Sequence, residues 1–231
     1  MKLLVIGETL IDLVPGPKGR EAVLGGSPYN VAIGLGRLGA QVGIATSLST
    51  DADGQRFKAA LEVDGVDLSC VAIVNKPSPT ALVEDGTKES GPRYVFTLSG
   101  TAFDEPTPLP LPWSDTLSHI HAGSIAAILG PMAQSVLNAF AAARDKHTTS
   151  YDPNIRPMIT PDRDKTRADV EARVAFADIV KASEEDLEWL YPDRAPHESI
   201  LNWLSRGPKL DRKSTRLNSS HTDISRMPSS A

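Results

Sequence analysis

The chain has 231 residues, 24 Lys and Arg against 29 Asp and Glu for a formal charge of −5, and 40% hydrophobic residues, an ordinary content for a chain with a core to bury. The acidic balance, without a basic patch or interleaved aromatics, argues against nucleic acid as a partner. The single cysteine, Cys70, excludes an internal disulfide and a cysteine-based zinc site and fits a reducing cytoplasm.

Residues 1–7 are apolar but too short for a signal peptide or a membrane span, so no membrane partner is expected. Residues 3–6 read as an inner parallel strand closed by Gly7. Asp12 follows where open α/β sheets place ligands, although a solvated turn aspartate accounts for it equally well. Then comes Gly25-Gly26-Ser27-Pro28-Tyr29-Asn30, a tight glycine turn feeding a helix. Ser27 is the expected N-cap and Pro28 the first helical residue. Val31, Leu35 and Leu38 form an apolar stripe, and Gly39 is a stop signal. The Asn30 amide offers donors and an acceptor beside bare backbone, which suits a polyhydroxylated ligand. Residues 34–39 satisfy G-x-G-x-x-G, but inside a helix; a dinucleotide fingerprint must follow a strand and open a helix, so an NAD-linked oxidoreductase is set aside.

Residues 41–49 read as a core strand, and Asp51 and Asp53 as turn and N-cap residues rather than a metal pair. From 67 to 100 the texture changes. Strands at 70–74, 80–83 and 94–98 are separated by turn signals, including 84–86 and 90–92, with no helix between them. They are expected to form antiparallel hairpins, a small β layer able to act as a lid. A proline-rich connector, 105–112, leads back to a βα rhythm: strands at 118–124, 148–151 and 178–182, and helices at 131–144, 162–176, 183–190 and 196–205. That alternation implies a parallel sheet with right-handed crossovers. His119 and His121, on alternate strand positions, read as structural. A strand is due after Leu210, but residues 211–231 are polar, serine-rich and aperiodic. Residues 211–221 also look like a translated sequencing-library adapter. A non-native, disordered tail is therefore expected over 211–231.

With these pieces in order, the chain resembles the ribokinase-like (PfkB) carbohydrate kinases, most closely the fructokinase branch. The resemblance is carried by the glycine turn and its helix, Asp12, the β lid, Tyr151-Asp152-Pro153-Asn154-Ile155-Arg156, and Val180-Lys181-Ala182-Ser183-Glu184-Glu185-Asp186-Leu187. It spans residues 1–210 and implies an α/β/α sandwich with a mostly parallel sheet and a lid drawn from about 9–24 and 67–103. It further implies ATP-dependent phosphorylation of a small-molecule sugar with Mg2+, in the cytoplasm, and leaves room for a homodimer through the lid. Asp12 and Asn30 would bind sugar hydroxyls while Gly25 and Gly26 let backbone approach. Arg156 would lie near the phosphate path or the substrate, Lys181 and Ser183 at the nucleotide phosphates, and Asp186 at the metal. Three features depart from the family pattern. Ser183 and Asp186 stand where asparagine and glutamate are usual, and Ser49-Thr50-Asp51 lacks the usual glycine-aspartate pair. The Gly-Ala-Gly-Asp turn that would supply the catalytic base occurs nowhere, and no Gly-Lys pair offers a Walker A substitute. The expectation is a sugar kinase chain lacking its catalytic segment and inactive alone; the alternative is a non-catalytic sugar-binding protein on the same half-fold.

Overall fold

The computed structural model describes residues 1–17, 19–84, 93–107, 109, 111, 113–208 and 210–214, with backbone only at 93 and 210–214. Its strands are β1 (Leu3–Ile6), β2 (Leu10–Gly16), β3 (Gly19–Gly25), β4 (Val42–Ser49), β5 (Val71–Val74), β6 (Thr80–Glu84), β7 (Arg93–Thr97), β8 (His119–Gly123), β9 (Thr148–Asp152), β10 (Ile179–Ser183) and β11 (Leu210–Ser214). Its helices are α1 (Ser27–Arg37), α2 (Ala52–Val63), α3 (Met132–Ala143), α4 (Arg163–Val174), α5 (Glu184–Leu190) and α6 (Pro196–Leu204).

A seven-stranded sheet runs β11-β10-β9-β8-β1-β4-β5, with parallel pairing throughout. Its central strand β1 shows why helices cover both faces. Successive side chains of a strand point to opposite sides. Leu4 and Ile6 join Ile120, Tyr151, Val136, Phe140, Val174 and Trp203, while Val5 joins Ile44, Tyr29, Phe57 and Leu61. The first group is the layer of α3 to α6, the second that of α1 and α2. Trp203 is fully buried and donates its indole N–H to the Tyr191 hydroxyl at 2.8 Å; Tyr191 in turn donates to Glu171 at 2.7 Å. The polar ends of both aromatics are thus satisfied inside the core.

The second sheet, β3-β2-β6-β7, is the small β layer in which a lid is expected, and it is called the lid below. Its make-up bears out one expected antiparallel hairpin, β6 with β7, and corrects the rest. The first two strands form a hairpin, β6 joins β2 in parallel, and β7 closes antiparallel on β6. Val71–Val74 is not a lid strand: it is the edge of the main sheet, parallel to β4. The turn signals at 85–86 and 90–92 lie outside the described residues, as do parts of the proline-rich connector.

Two helix starts instruct. Asp51 caps α2, accepting the Gly54 N–H at 2.8 Å, and also accepts the Ser78 N–H at 2.7 Å, fastening the crossover into the lid. Asp53 pairs with Arg56 at 2.7 Å. At α1, the N-cap is Gly26, without a side-chain cap bond, and Ser27 is already the first helical residue. Gly26 has φ 106°, and a Cβ there would sit 2.6 Å from the Glu8 carbonyl oxygen; glycine backbone, not a serine hydroxyl, shapes this turn.

The strand due after Leu210 does form. Leu210–Ser214 pairs in parallel with Ile179–Ser183, correcting the expectation that disorder begins at Asp211. A ladder needs only backbone N–H and C=O groups, which polar residues supply as well as apolar ones. Residues 215–231 lie outside the described residues.

His119 and His121 form a polar ladder with β9. The Ser150 hydroxyl lies 2.8 Å from His119 Nε2 and 2.9 Å from His121 Nδ1, and Thr148 Oγ1 lies 2.7 Å from His119 Nδ1. Burial, with His119 and Lys181 adding positive charge, pushes the His121 pKa down from 6.5 to about 4. The unfolded chain takes up this proton first, so stability is complete above pH 6.5 and falls as pH drops toward 4. At about 1.4 kcal/mol per unit, the loss should reach about 2–3 kcal/mol. Urea unfolding at pH 7.5 and 4.5 should show it, and His121→Gln should flatten the slope. An unchanged slope would remove His121 as its source.

Candidate functional site

The carboxyl edge of an open parallel sheet is where its loops gather and ligands bind. Here β1 delivers Gly7 and Glu8, β8 delivers Ser124, β9 delivers Asp152 to Arg156, and β10 delivers Ser183. The lid leans on the same edge, through a cluster of Leu10 and Ala81 from its strands with Ile125 from the turn after β8.

On the lid side, Asp12 is not a loop residue following β1, as expected, but a half-buried member of β2 opposite Val23. Gly25 ends the partner strand, and a Cβ there would overlap the Asp12 carboxylate. The aspartate and the glycine pair are therefore one structural unit. Asn30 lies one turn into α1, exposed, with its backbone N–H donating to the Gly26 carbonyl at 3.0 Å.

On the β9–β10 side, Lys181 Nζ lies 2.9 Å from Asp152, its side chain 43% exposed, so one face of the ammonium is open. Burial pushes the Asp152 carboxyl up, and the Lys181 charge opposes it. Arg156 is folded back on its own loop, donating to the Asn154 carbonyl at 3.2 Å and side-chain oxygen at 2.9 Å, and to the Ile155 carbonyl at 3.0 Å. Ser183 caps α5 as expected, accepting the Asp186 N–H at 3.0 Å.

Asp186 does not fit the metal role. It is 6% exposed; one oxygen accepts the Ile155 N–H at 2.8 Å and the other the Ser183 N–H at 3.2 Å. Its work is to close a capping box and latch the Asn154–Arg156 loop to α5. Among the described residues, no group of three His, Cys, Asp or Glu side chains could hold a metal ion.

Sequence reasoning passed over Glu8 and Ser124. Glu8 is 5% exposed and accepts the Ala126 N–H at 3.1 Å. Burial pushes its carboxyl up, while hydrogen bonds from Ser124 and Ala126 and the Arg156 charge pull the other way. Only the position directly after a strand-ending Gly7 could have flagged it.

The model of the pfkB family carbohydrate kinases matches residues 1–212. A fructokinase of Rhizobium leguminosarum bv. trifolii is 35% identical over 218 residues; the match takes in 90% of this chain but 65% of that enzyme, just under two thirds of its length. The PfkB protein from Polaromonas sp. JS666 superposes with a TM-score of 0.81 at 24% identity, covering 93% of this chain and 76% of that one. A fructokinase from Xylella fastidiosa, solved with bound ATP, gives 0.76 at 21% identity over 92% and 72%. At such identities these two structures speak for the fold alone.

Proposed function

Because the chain belongs to the pfkB family of carbohydrate kinases, we propose that its described edge is the sugar-binding and phosphate-facing part of a fructokinase-like enzyme. The whole protein would transfer the γ-phosphoryl group of ATP to a sugar hydroxyl. What supports this reading is that the Asp12–Gly25–Gly26 unit sits against the turn after β1 while Lys181 and Arg156 belong to the carboxyl ends of β10 and β9 of the same parallel sheet. Asp12 accepts from sugar hydroxyls, the glycines allow close backbone approach, and Asn30 supplies a neutral amide at the rim. Lys181 and Arg156 draw the phosphates to the other end, with Ser183 at the start of α5 beside them. Phosphoryl transfer is mostly positioning and charge stabilisation, so such a split suits it.

Magnesium, entering with the nucleotide, would supply charge neutralisation at the phosphates and take its ligands chiefly from them and from water. Asp186 keeps its loop latch and is not assigned to the metal. The 231 residues contain no Gly-Ala-Gly-Asp turn, so we assign sugar and phosphate recognition to residues 1–210 and the base to the whole protein. A cytoplasmic location and pairing through the lid belong to the same proposal; no described helix is long and apolar enough to cross a membrane.

Calorimetric titration of the 231-residue chain with fructose should give saturable binding, strengthened by Mg-ATP, with glucose and ribose weaker and NAD+ silent. Absence of binding to all three sugars would overturn the reading. Sugar-dependent ADP release by the chain alone would mean that a base lies within it.

A further inference from the structure

We propose that Glu8 is a positioning residue that locks the sugar-side glycine turn and the phosphate-side Asn154–Arg156 loop into one register. The inference rests on the kinase reading of the edge, but its contacts stand independently.

Glu8 has two ends. Its backbone carbonyl lies against Gly26, so close that any side chain there would collide with it. Its carboxylate crosses to the turn after β8, accepting from the Ala126 N–H at 3.1 Å. On the same turn, the Ser124 hydroxyl oxygen accepts from Asn154 Nδ2 at 3.2 Å. Asn154 then holds Arg156 through its side-chain oxygen at 2.9 Å. The relay runs from Gly26 to Glu8, through Ala126 into the turn that carries Ser124, and on to Asn154 and Arg156, three loops joined through one buried carboxylate.

Backbone strain marks the same path. Three non-glycine residues have positive φ among those described: Ser124 at 61°, Asn154 at 41° and Asp145 at 68°. The first two are both members of the relay. Such conformations persist only where the surroundings over-determine them, and they gather at working sites. The turn is gripped from the far side as well. Arg173, 4% exposed, donates to the Ala127 carbonyl at 2.7 Å and the Ala133 carbonyl at 2.8 Å. Ser124 to Ala127 is thus clamped between a buried carboxylate and a buried guanidinium. That cost makes sense only if the turn's position matters.

The test is amide hydrogen exchange on the 231-residue chain, with two reporters. One is Ala126, bonded to Glu8 directly; the other is Ile155, whose N–H is bonded to Asp186 and reached only through the relay. Glu8→Ala should speed exchange about tenfold at both, the loss of roughly one hydrogen bond's worth of protection. Glu8→Gln keeps an acceptor for Ala126 and should restore most of it. Ser124→Ala cuts the relay while sparing the Glu8–Ala126 bond, so it should speed Ile155 and leave Ala126 unchanged; it also serves should Glu8→Ala not fold. Fructose titrated into Glu8→Ala should bind about tenfold more weakly, with binding recovered in Glu8→Gln. If Ile155 keeps wild-type protection in both Glu8→Ala and Ser124→Ala, Glu8 is a local prop and the proposal fails. Because the exchange readout needs no sugar, loss of the kinase reading would show as absent fructose binding with the relay intact.

Discussion

Asp186→Ala should lower the stability of the chain by about 2–4 kcal/mol, combining the loss of an N-cap partner with two backbone N–H groups left unmatched. For a domain of this size that is a fall of about 5–12 °C in Tm. The size of the effect follows from where the two N–H groups are. Ile155 is 5% exposed, and its N–H is held by Asp186 at 2.8 Å, so water does not readily replace the carboxylate. The Ser183 N–H, at 3.2 Å, is the reciprocal half of the capping box. Asp186→Asn keeps one acceptor oxygen and should fall between. Calorimetric melts of the three forms, with and without Mg2+ and no nucleotide, separate the roles. A wild-type Tm that rises with Mg2+ and ceases to do so in Asp186→Asn would make Asp186 a metal ligand after all. A loss below about 0.5 kcal/mol in Asp186→Ala, the range of ordinary surface changes, would remove the latch.

What was legible in the sequence was local. The apolar run of β1, the glycine turn into α1, the Asp51 and Ser183 caps and the alternation of strands and helices all express themselves within a few residues. The lid's pairing was not legible. Val71–Val74 carries the same half-buried character as a lid strand, and nothing within it says that its partner is β4. Likewise β6 is a hairpin strand with β7, but nothing within it says that its other partner is β2, in parallel and some seventy positions earlier. Glu8 was invisible for the same reason. A glutamate after a glycine looks solvated, and its burial depends on Ala126, 118 positions away. Asp186 shows the converse. The resemblance suggested a metal ligand; an aspartate is one methylene shorter than the glutamate usual there, and in this chain both its oxygens accept backbone N–H groups.

Asp12→Ala should weaken fructose binding by at least about tenfold while changing stability by less than about 1 kcal/mol, since a hydrogen bond to a charged group is worth about 1.5–3 kcal/mol. The two halves of this prediction come from the same geometry. Asp12 is only half-buried, and its strand is held by the full β2–β3 register from Leu10↔Gly25 to Gly16↔Gly19, so truncating one side chain leaves the hairpin its ladder. The carboxylate, by contrast, occupies the space that a side chain at Gly25 would need. Glycine at that position keeps the acid and the bare backbone side by side, an arrangement a hairpin does not require and a polyhydroxylated ligand does. Asp12→Asn retains an acceptor but not the charge and should bind fructose with intermediate strength. In the whole protein the loss should appear in kcat/KM for the sugar, with the KM for ATP little changed. Titration calorimetry on the three forms, beside urea unfolding of each, decides the matter. Unchanged fructose binding with a marked loss of stability would make Asp12 a hairpin residue and move the sugar site elsewhere on the edge.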